Sequence, residues 1–231
     1  MVYSKDMKYP IKFELEFRRH NYPGRLIAIE GIDGCGKTTQ IKSLKKWFEE
    51  RGKRVVLTSE PRKEENIVGR LIRDALKRKV NLPFSCFQDL YSAERVINHE
   101  EVVIPALKED KIVLSHRCFW SAVAYGVFDK GEVRYGDINS SIIMVANGIL
   151  SLYYQFMAPN ITFYLAISAD TAMKRITKMA KKREIYEEKE KLSRVIAGYE
   201  WLAKKFSREI IRINGEQKEE RVTEKIVSCI K

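Results

Sequence analysis

No apolar run in this 231-residue chain approaches the roughly 18–20 residues that a membrane-spanning helix needs. The first residues, interrupted by Lys5, Asp6, Lys8, Lys12 and Glu14, lack the apolar centre of a secretory signal. The expectation is a soluble, cytoplasmic protein. Cysteine is scarce: Cys35, Cys86, Cys118 and Cys229 stand at wide spacings without a CxxC pair, which suggests neither a zinc site nor a disulfide framework. His20, His99 and His116 are equally scattered, so no metal-ligand cluster of protein side chains stands out. Any metal is expected to arrive with a nucleotide. Repeats, low-complexity tracts and Pro/Gly/Ser-rich linkers are lacking too, and one domain with one core is the simplest organisation at this length.

What is present is a chain 45% hydrophobic and 32% charged, too apolar for a disordered protein and too interrupted by charge for a membrane protein. Its formal net charge of +12 suits phosphates, nucleic acid or an anionic membrane surface, and the Lys/Glu-rich composition equally suits a thermophile's solvated surface. Short runs rich in β-branched residues, Leu26 to Ile29, Val55 to Leu57, Ile112 to Leu114, Ile161 to Ile167 and Ile210 to Ile213, read as buried strands. Helical patterns lie between and beside them at Thr38 to Glu50, Ile67 to Lys77, Cys86 to Leu107, and Thr171 to Lys205 with a break inside it. The alternation predicts an α/β fold: a parallel five-stranded sheet with helices on both faces and ligands at the carboxyl ends of the strands. Residues 1–24 precede this pattern. Within them Ile11, Phe13, Leu15 and Phe17 alternate with Lys12, Glu14, Glu16 and Arg18, the period of a half-buried edge strand or of a surface packed on a second subunit.

Directly after the first strand comes Gly31-Ile32-Asp33-Gly34-Cys35-Gly36-Lys37-Thr38-Thr39, a full match to the P-loop pattern GxxxxGK[ST]. Glycines at 31, 34 and 36 allow the tight turn that aims successive amide hydrogens and a helix N-terminus at phosphate oxygens. Lys37 would neutralise the β- and γ-phosphates of ATP, and the Thr38 hydroxyl would hold the Mg²⁺ that bridges them. Gly31, Asp33, Gly34, Cys35, Gly36, Lys37, Thr38 and Thr39 are therefore the candidate cofactor contacts. A P-loop alone does not separate kinases, GTPases and motor ATPases.

From Arg25 onward the order of motifs resembles the thymidylate kinase family. The stretch Ile29 to Gln40 is similar to that family's phosphate loop, and Ser59-Glu60-Pro61 falls where the family carries Arg-Glu-Pro. Leu71-Ile72-Arg73 matches a helix supplying an acceptor-binding arginine. Leu90-Tyr91-Ser92-Ala93-Glu94-Arg95 resembles a Leu-Phe-Ala-Ala-Asp-Arg helix whose aromatic stacks on thymine and whose arginine reaches the base. Tyr91 and Arg95, four apart, share one helix face, so ring and guanidinium can meet one base. Ser115-His116-Arg117 and Ser121 to Gly126 resemble the family's Asp-Arg-Tyr and Ser-Ser-x-Ala-Tyr-Gln segments. The resemblance implies that Arg117 binds the acceptor phosphate, bidentate contacts fixing two anions in line. It further implies that Ser121 and Tyr125 lie in the acceptor site, with Tyr125 beside the sugar, and that Asp33 approaches the 3′-hydroxyl. Residues 25–231 would then form a P-loop nucleoside monophosphate kinase domain, commonly a homodimer.

Six positive charges in the ten residues Lys174 to Arg183 fall where the family leads into a mobile lid, here around 174–190. With Gly34 rather than arginine in the loop, the resemblance implies that basic residues of the lid serve transfer: Lys178, Lys181, Lys182 or, as the choice, Arg183. Arg175 matches the residue that stacks on the donor adenine. The pattern breaks at His116, where the family has aspartate, at Gly126, where many relatives have a thymine-contacting glutamine, and at Arg62-Lys63-Glu64, where the family has Gly-Gly-Thr. The leading expectation is Mg²⁺-dependent transfer from ATP to dTMP, with Lys37, Arg117 and Arg183 as catalytic residues. Its alternatives are another acceptor, such as dUMP or UMP, and an ATP-binding regulatory or nucleic-acid-binding protein. The arginine set Arg73, Arg95 and Arg117 argues against that last reading.

Overall fold

The computed structural model describes residues 16–62, 66–129, 157–178 and 189–230. Strand β1 (Arg25–Glu30) leads through the phosphate loop into α1 (Lys37–Glu49), followed by β2 (Val55–Ser59) and α2 (Ile67–Leu76). Helix α3 (Phe84–Asn98) continues through a π-helical stretch (His99–Val103) into α4 (Ile104–Lys108), and β3 (Ile112–His116) and α5 (Phe119–Asp129) come next. The remainder is β4 (Ile161–Ala166), α6 (Ala169–Lys178), α7 (Lys189–Lys205), β5 (Ile210–Asn214) and α8 (Glu219–Ile230).

The five strands pair in parallel in the order β2-β3-β1-β4-β5. β1 is apolar on both faces and buried beyond Arg25, as a central strand covered by helices must be. It has β3 on one side and β4 on the other, so the chain leaves the sheet in opposite directions there and opens a crevice at the carboxyl ends. The register brings Ile29 of β1 and Ser59 of β2 both opposite His116 of β3, which aligns the exits of the three strands that carry the motifs.

The main core joins both faces of the sheet to α1, α5 and α7. Leu44, Trp120, Phe163, Tyr164 and Tyr199 are each less than 2% exposed. Burial of one such side chain contributes roughly 1.5–3 kcal/mol, and truncation of Leu44 to alanine would cost roughly 2–5 kcal/mol. Local signals set several boundaries. The Asn66 side chain accepts from the Gly69 amide at 2.7 Å and caps α2. The unbroken helix expected from Cys86 to Leu107 is instead widened into the π-helical stretch. The ring of Pro105 would clash with the Glu101 carbonyl in regular α geometry, and the π turn opens the backbone just ahead of it.

Of the expected N-terminal strand, Ile11, Phe13 and Leu15 lie outside the described residues. Phe17 packs against Phe119, Trp120 and Phe206 at ring distances of 5.9, 5.3 and 5.8 Å, and Arg18 forms an isolated parallel bridge to Met157.

Candidate active site

The phosphate loop lies between β1 and α1, against α6. Gly34 has φ +80, and a Cβ there would come 3.0 Å from the Ala172 carbonyl oxygen, so α6 packs tightly on this side of the loop. Gly36 has φ +100 with nothing within 4 Å of its missing Cβ, which leaves open space above the start of α1. Lys37 folds under the loop: its Nζ donates to the Gly31 and Ile32 carbonyls at 2.9 Å each and lies 3.6 Å from Asp33 Oδ1. Burial, then the Arg117 charge, lowers the Lys37 pKa. Thr38 is exposed beside it. Arg175 on α6 donates to the Gly34 and Gly215 carbonyls at 3.2 Å each, bridging the loop and the turn before α8.

Glu30, the last residue of β1, is fully buried. Its carboxylate accepts from the Cys118 amide at 2.8 Å, the Ser121 amide at 3.2 Å, the Ser121 hydroxyl at 2.7 Å and the Tyr199 hydroxyl at 2.8 Å. A buried carboxylate is tolerated because hydrogen bonds surround it and the N-terminus of α5 faces it. The effect is to pin the turn carrying Arg117, whose φ of 77 is left-handed and costs a non-glycine residue about 1 kcal/mol. From there Arg117 donates to Asp33 Oδ1 at 2.8 Å, Tyr125 at 3.1 Å, Ser121 at 3.1 Å and Tyr199 at 3.2 Å. Burial opposes its charge, but Tyr125, Asp33, Tyr199 and Glu30 outweigh that and raise its pKa further. Burial likewise raises the Tyr125 and Tyr199 pKa values, so both phenols stay protonated.

Between these groups and α3 lies a cleft of about 660 Å³. Asp33, Thr38, Lys42, His116, Arg117, Ser121 and Tyr125 form its polar side. Leu57, Pro61, Leu76, Phe87, Tyr91 and Ala122 form an apolar side, into which α3 also presents Gln88 and Arg95. Arg95 is 2% exposed, and its Nε donates to Glu60 Oε2 at 2.6 Å, while His99 from the π-helical stretch approaches Glu60 Oε1 at 3.6 Å. Burial pushes the Glu60 carboxyl up, but Arg95 and His99 more than offset it and leave it below its ordinary value.

The expected residues Asp33, Thr38, Tyr91, Arg95, Arg117, Ser121 and Tyr125 thus converge on one cleft. Arg73 does not line it; its Nε lies 3.7 Å from Asp74 Oδ1 on α2. Lys181, Lys182 and Arg183 lie outside the described residues. His116 lines the cleft, whereas Gly126 is buried in α5 away from the lining. Arg62 is a buried brace, with Nη2 2.7 Å from Glu101 Oε2 and Nε 3.5 Å from Glu94 Oε1. Sequence reasoning assigned no role to Glu30, Glu60, Gln88 or Tyr199. For Glu30 a signal existed, because a carboxylate ending an otherwise apolar strand needs several donors. For Tyr199, a tyrosine within an ordinary amphipathic helix, there was none.

A family model described as thymidylate kinase matches residues 29–226. A thymidylate kinase of Thermoanaerobacter sp. (strain X514) is 32% identical over 209 residues, covering 90% of this chain and 98% of that relative. One from Prochlorococcus marinus subsp. pastoris is 35% identical over 189 residues, covering 78% and 83%. Among solved structures, the thymidylate kinase of Candida albicans superposes with a TM-score of 0.73 at 21% identity, over 90% of this chain and 91% of that one, a likeness of fold.

Proposed function

Because the chain belongs to the thymidylate kinase family, we propose that its cleft presents dTMP to ATP on the phosphate loop and that the γ-phosphoryl group passes between them, giving dTDP and ADP. An oxygen of the dTMP phosphate forms the new bond to the γ-phosphorus as the bond to the bridging oxygen of ADP breaks. The observation that carries this reading is the charged path Lys37–Asp33–Arg117, with separations of 3.6 and 2.8 Å, linking the donor side to the acceptor side. Lys37 is to exchange the Gly31 and Ile32 carbonyls for β- and γ-phosphate oxygens. Arg117 is to hold the acceptor phosphate from the platform made by Glu30, Ser121 and Tyr199. Asp33 keeps Arg117 in place and is to meet the 3′-hydroxyl. Tyr91 is the surface for the base, and Tyr125 the neighbour of the sugar.

Thr38 and Asp33 both line the cleft, and the Thr38 hydroxyl is an oxygen donor of the kind that suits a hard cation such as Mg²⁺. When bound with ATP, the ion would neutralise charge between the β- and γ-phosphates. Among the described residues no group of three His, Cys, Asp or Glu could hold a metal unaided. Arg175 is to bind the adenine side of ATP. The basic run from Lys174, Arg183 within it, is to supply charge that Gly34 does not. The family reading extends to a homodimer in the cytoplasm, the former tested by sedimentation. No helix among the described residues is long and apolar enough to cross a membrane.

The deciding experiment supplies Mg²⁺-ATP with dTMP, dUMP, UMP, dCMP, CMP, dGMP or AMP and follows diphosphate formation, with Lys37→Ala as control. Selective dTDP formation lost in the variant is the expected result. Transfer to a different acceptor replaces the substrate, and ATP binding without any transfer overturns the kinase reading.

A further inference from the structure

The turn between β5 and α8 is seated on the end of β4. The Gly215 amide donates to the Ala166 carbonyl at 2.9 Å, and a Cβ at Gly215 would stand 2.9 Å from Ile167 Cγ2 and 3.5 Å from the Cys35 carbonyl oxygen of the phosphate loop. Asn214 Oδ1 accepts from the Glu216 amide at 3.0 Å and holds the next residue in place. Arg175 of α6 donates to the Gly215 carbonyl. The turn, the phosphate loop and α6 therefore meet at one point.

Glu216 is exposed, yet both of its carboxylate oxygens are engaged. Oε1 accepts from the Ser168 amide and Oε2 from the Thr171 hydroxyl, each at 2.7 Å. Ser168 precedes α6, and its hydroxyl accepts from the Thr171 amide at 3.2 Å, which caps the helix. The same hydroxyl donates to Thr171 Oγ1 at 3.0 Å. A carboxylate at this end also suits the helix dipole. The Ser168 amide above all, with the Thr171 hydroxyl, holds the Glu216 carboxyl below its ordinary pKa, so it is charged at neutral pH.

Thr171 and Arg175 are four residues apart and share one face of α6. The helix is thus tied to one turn at two points, through Thr171 to the Glu216 carboxylate and through Arg175 to the Gly215 carbonyl at 3.2 Å. Arg175 also reaches the Gly34 carbonyl at 3.2 Å. A guanidinium that exchanges a carbonyl for a ligand keeps its place only where its helix is held by another contact, and Thr171 with Glu216 is that contact.

Resting on the kinase reading, with Arg175 at the adenine side of ATP, we propose that Glu216 is a positioning residue for the donor nucleotide. By holding the first turn of α6 it fixes Arg175 beside the base. It acts on the base end of ATP and leaves the phosphates to the loop and the acceptor to the cleft.

Glu216→Ala removes the carboxylate, and Thr171→Val removes its partner on α6. Isothermal titration calorimetry with Mg²⁺-ATP and with inorganic tripolyphosphate would give dissociation constants for each variant, with KM for ATP, KM for dTMP and Tm measured beside them. The expected result is ATP binding weakened roughly fivefold and KM for ATP raised in step, with tripolyphosphate binding and KM for dTMP within about twofold of wild type. Because the two residues share one contact, the double variant should bind ATP no more weakly than the worse single variant. Unchanged ATP binding overturns the proposal, and so do additive losses. Equal weakening of ATP and tripolyphosphate overturns it too, since Glu216 would then support the phosphate loop as a whole. Failure of wild type to bind ATP overturns the kinase reading itself, a result distinct from these.

Discussion

The Tyr199 hydroxyl lies 2.8 Å from Glu30 Oε2 and 3.2 Å from Arg117 Nη1, so a residue of α7 helps to hold the arginine that leaves β3. Tyr199→Phe removes the hydroxyl's hydrogen bonds with Glu30, Arg117 and Ser121, and with them one of the groups locating Arg117. Urea unfolding should report a loss of about 1 kcal/mol. Steady-state kinetics should show KM for dTMP raised roughly five- to tenfold, with KM for ATP within twofold of wild type. Equal shifts for both substrates would mean that Tyr199 supports the fold without positioning Arg117.

Glu60 sets the acid limit of this side of the cleft. Its carboxyl titrates below the ordinary 4.5 in the folded protein because Arg95 and His99 outweigh burial. A carboxyl of this kind contributes stability above its unfolded pKa and loses it as pH falls through the folded value. Glu60→Gln should therefore be less stable than wild type at neutral pH by roughly 1–3 kcal/mol. The difference should shrink as pH falls below 4.5, as followed by urea melts across a pH series. A gap constant with pH would show that charge is not what Glu60 contributes.

Arg175 touches the loop and the turn before α8 but not the acceptor cleft. Arg175→Ala is expected to raise KM for ATP roughly tenfold and leave KM for dTMP within about twofold. A rise confined to dTMP would place Arg175 on the wrong substrate.

His116 occupies the polar lining at the end of β3, where an imidazole is a poorer partner for Mg²⁺ than a carboxylate. His116→Asp should lower the Mg²⁺ concentration needed for half-maximal transfer several-fold and raise kcat. An activity titration over Mg²⁺ checks this, and a higher requirement in the variant would reverse the assignment.

The strands and the phosphate loop were legible because their signals are local. β-branched apolar runs mark buried strands, and the loop's glycines, lysine and hydroxyl fall within one short stretch. Tyr91, Arg95, Arg117, Ser121 and Tyr125 were legible through their motifs, and the strand register then brings the segments together. The support beneath them was not. Glu30 and Tyr199 are 169 positions apart and meet only once α7 packs on α5, which no periodicity encodes. The orientation of Gln88 likewise depends on a backbone carbonyl 34 residues away. The π-helical stretch escaped notice because its apolar residues keep a helical spacing, and only Pro105 hinted that the backbone must widen. Arg73, also legible through its motif, has its Nε 3.7 Å from Asp74 Oδ1 on α2.

Gly34, with its φ of +80 and the Ala172 oxygen 3.0 Å from where a Cβ would stand, also constrains the evolutionary routes open to this protein. With this packing, an arginine at position 34 would need a left-handed backbone and a shift of a few tenths of an ångström at the Ala172 carbonyl. That shift would fall on α6, which also carries Arg175. Loop and helix are thus fitted to each other at this contact, and a chimera exchanging one without the other should lose stability even where each part comes from a stable protein.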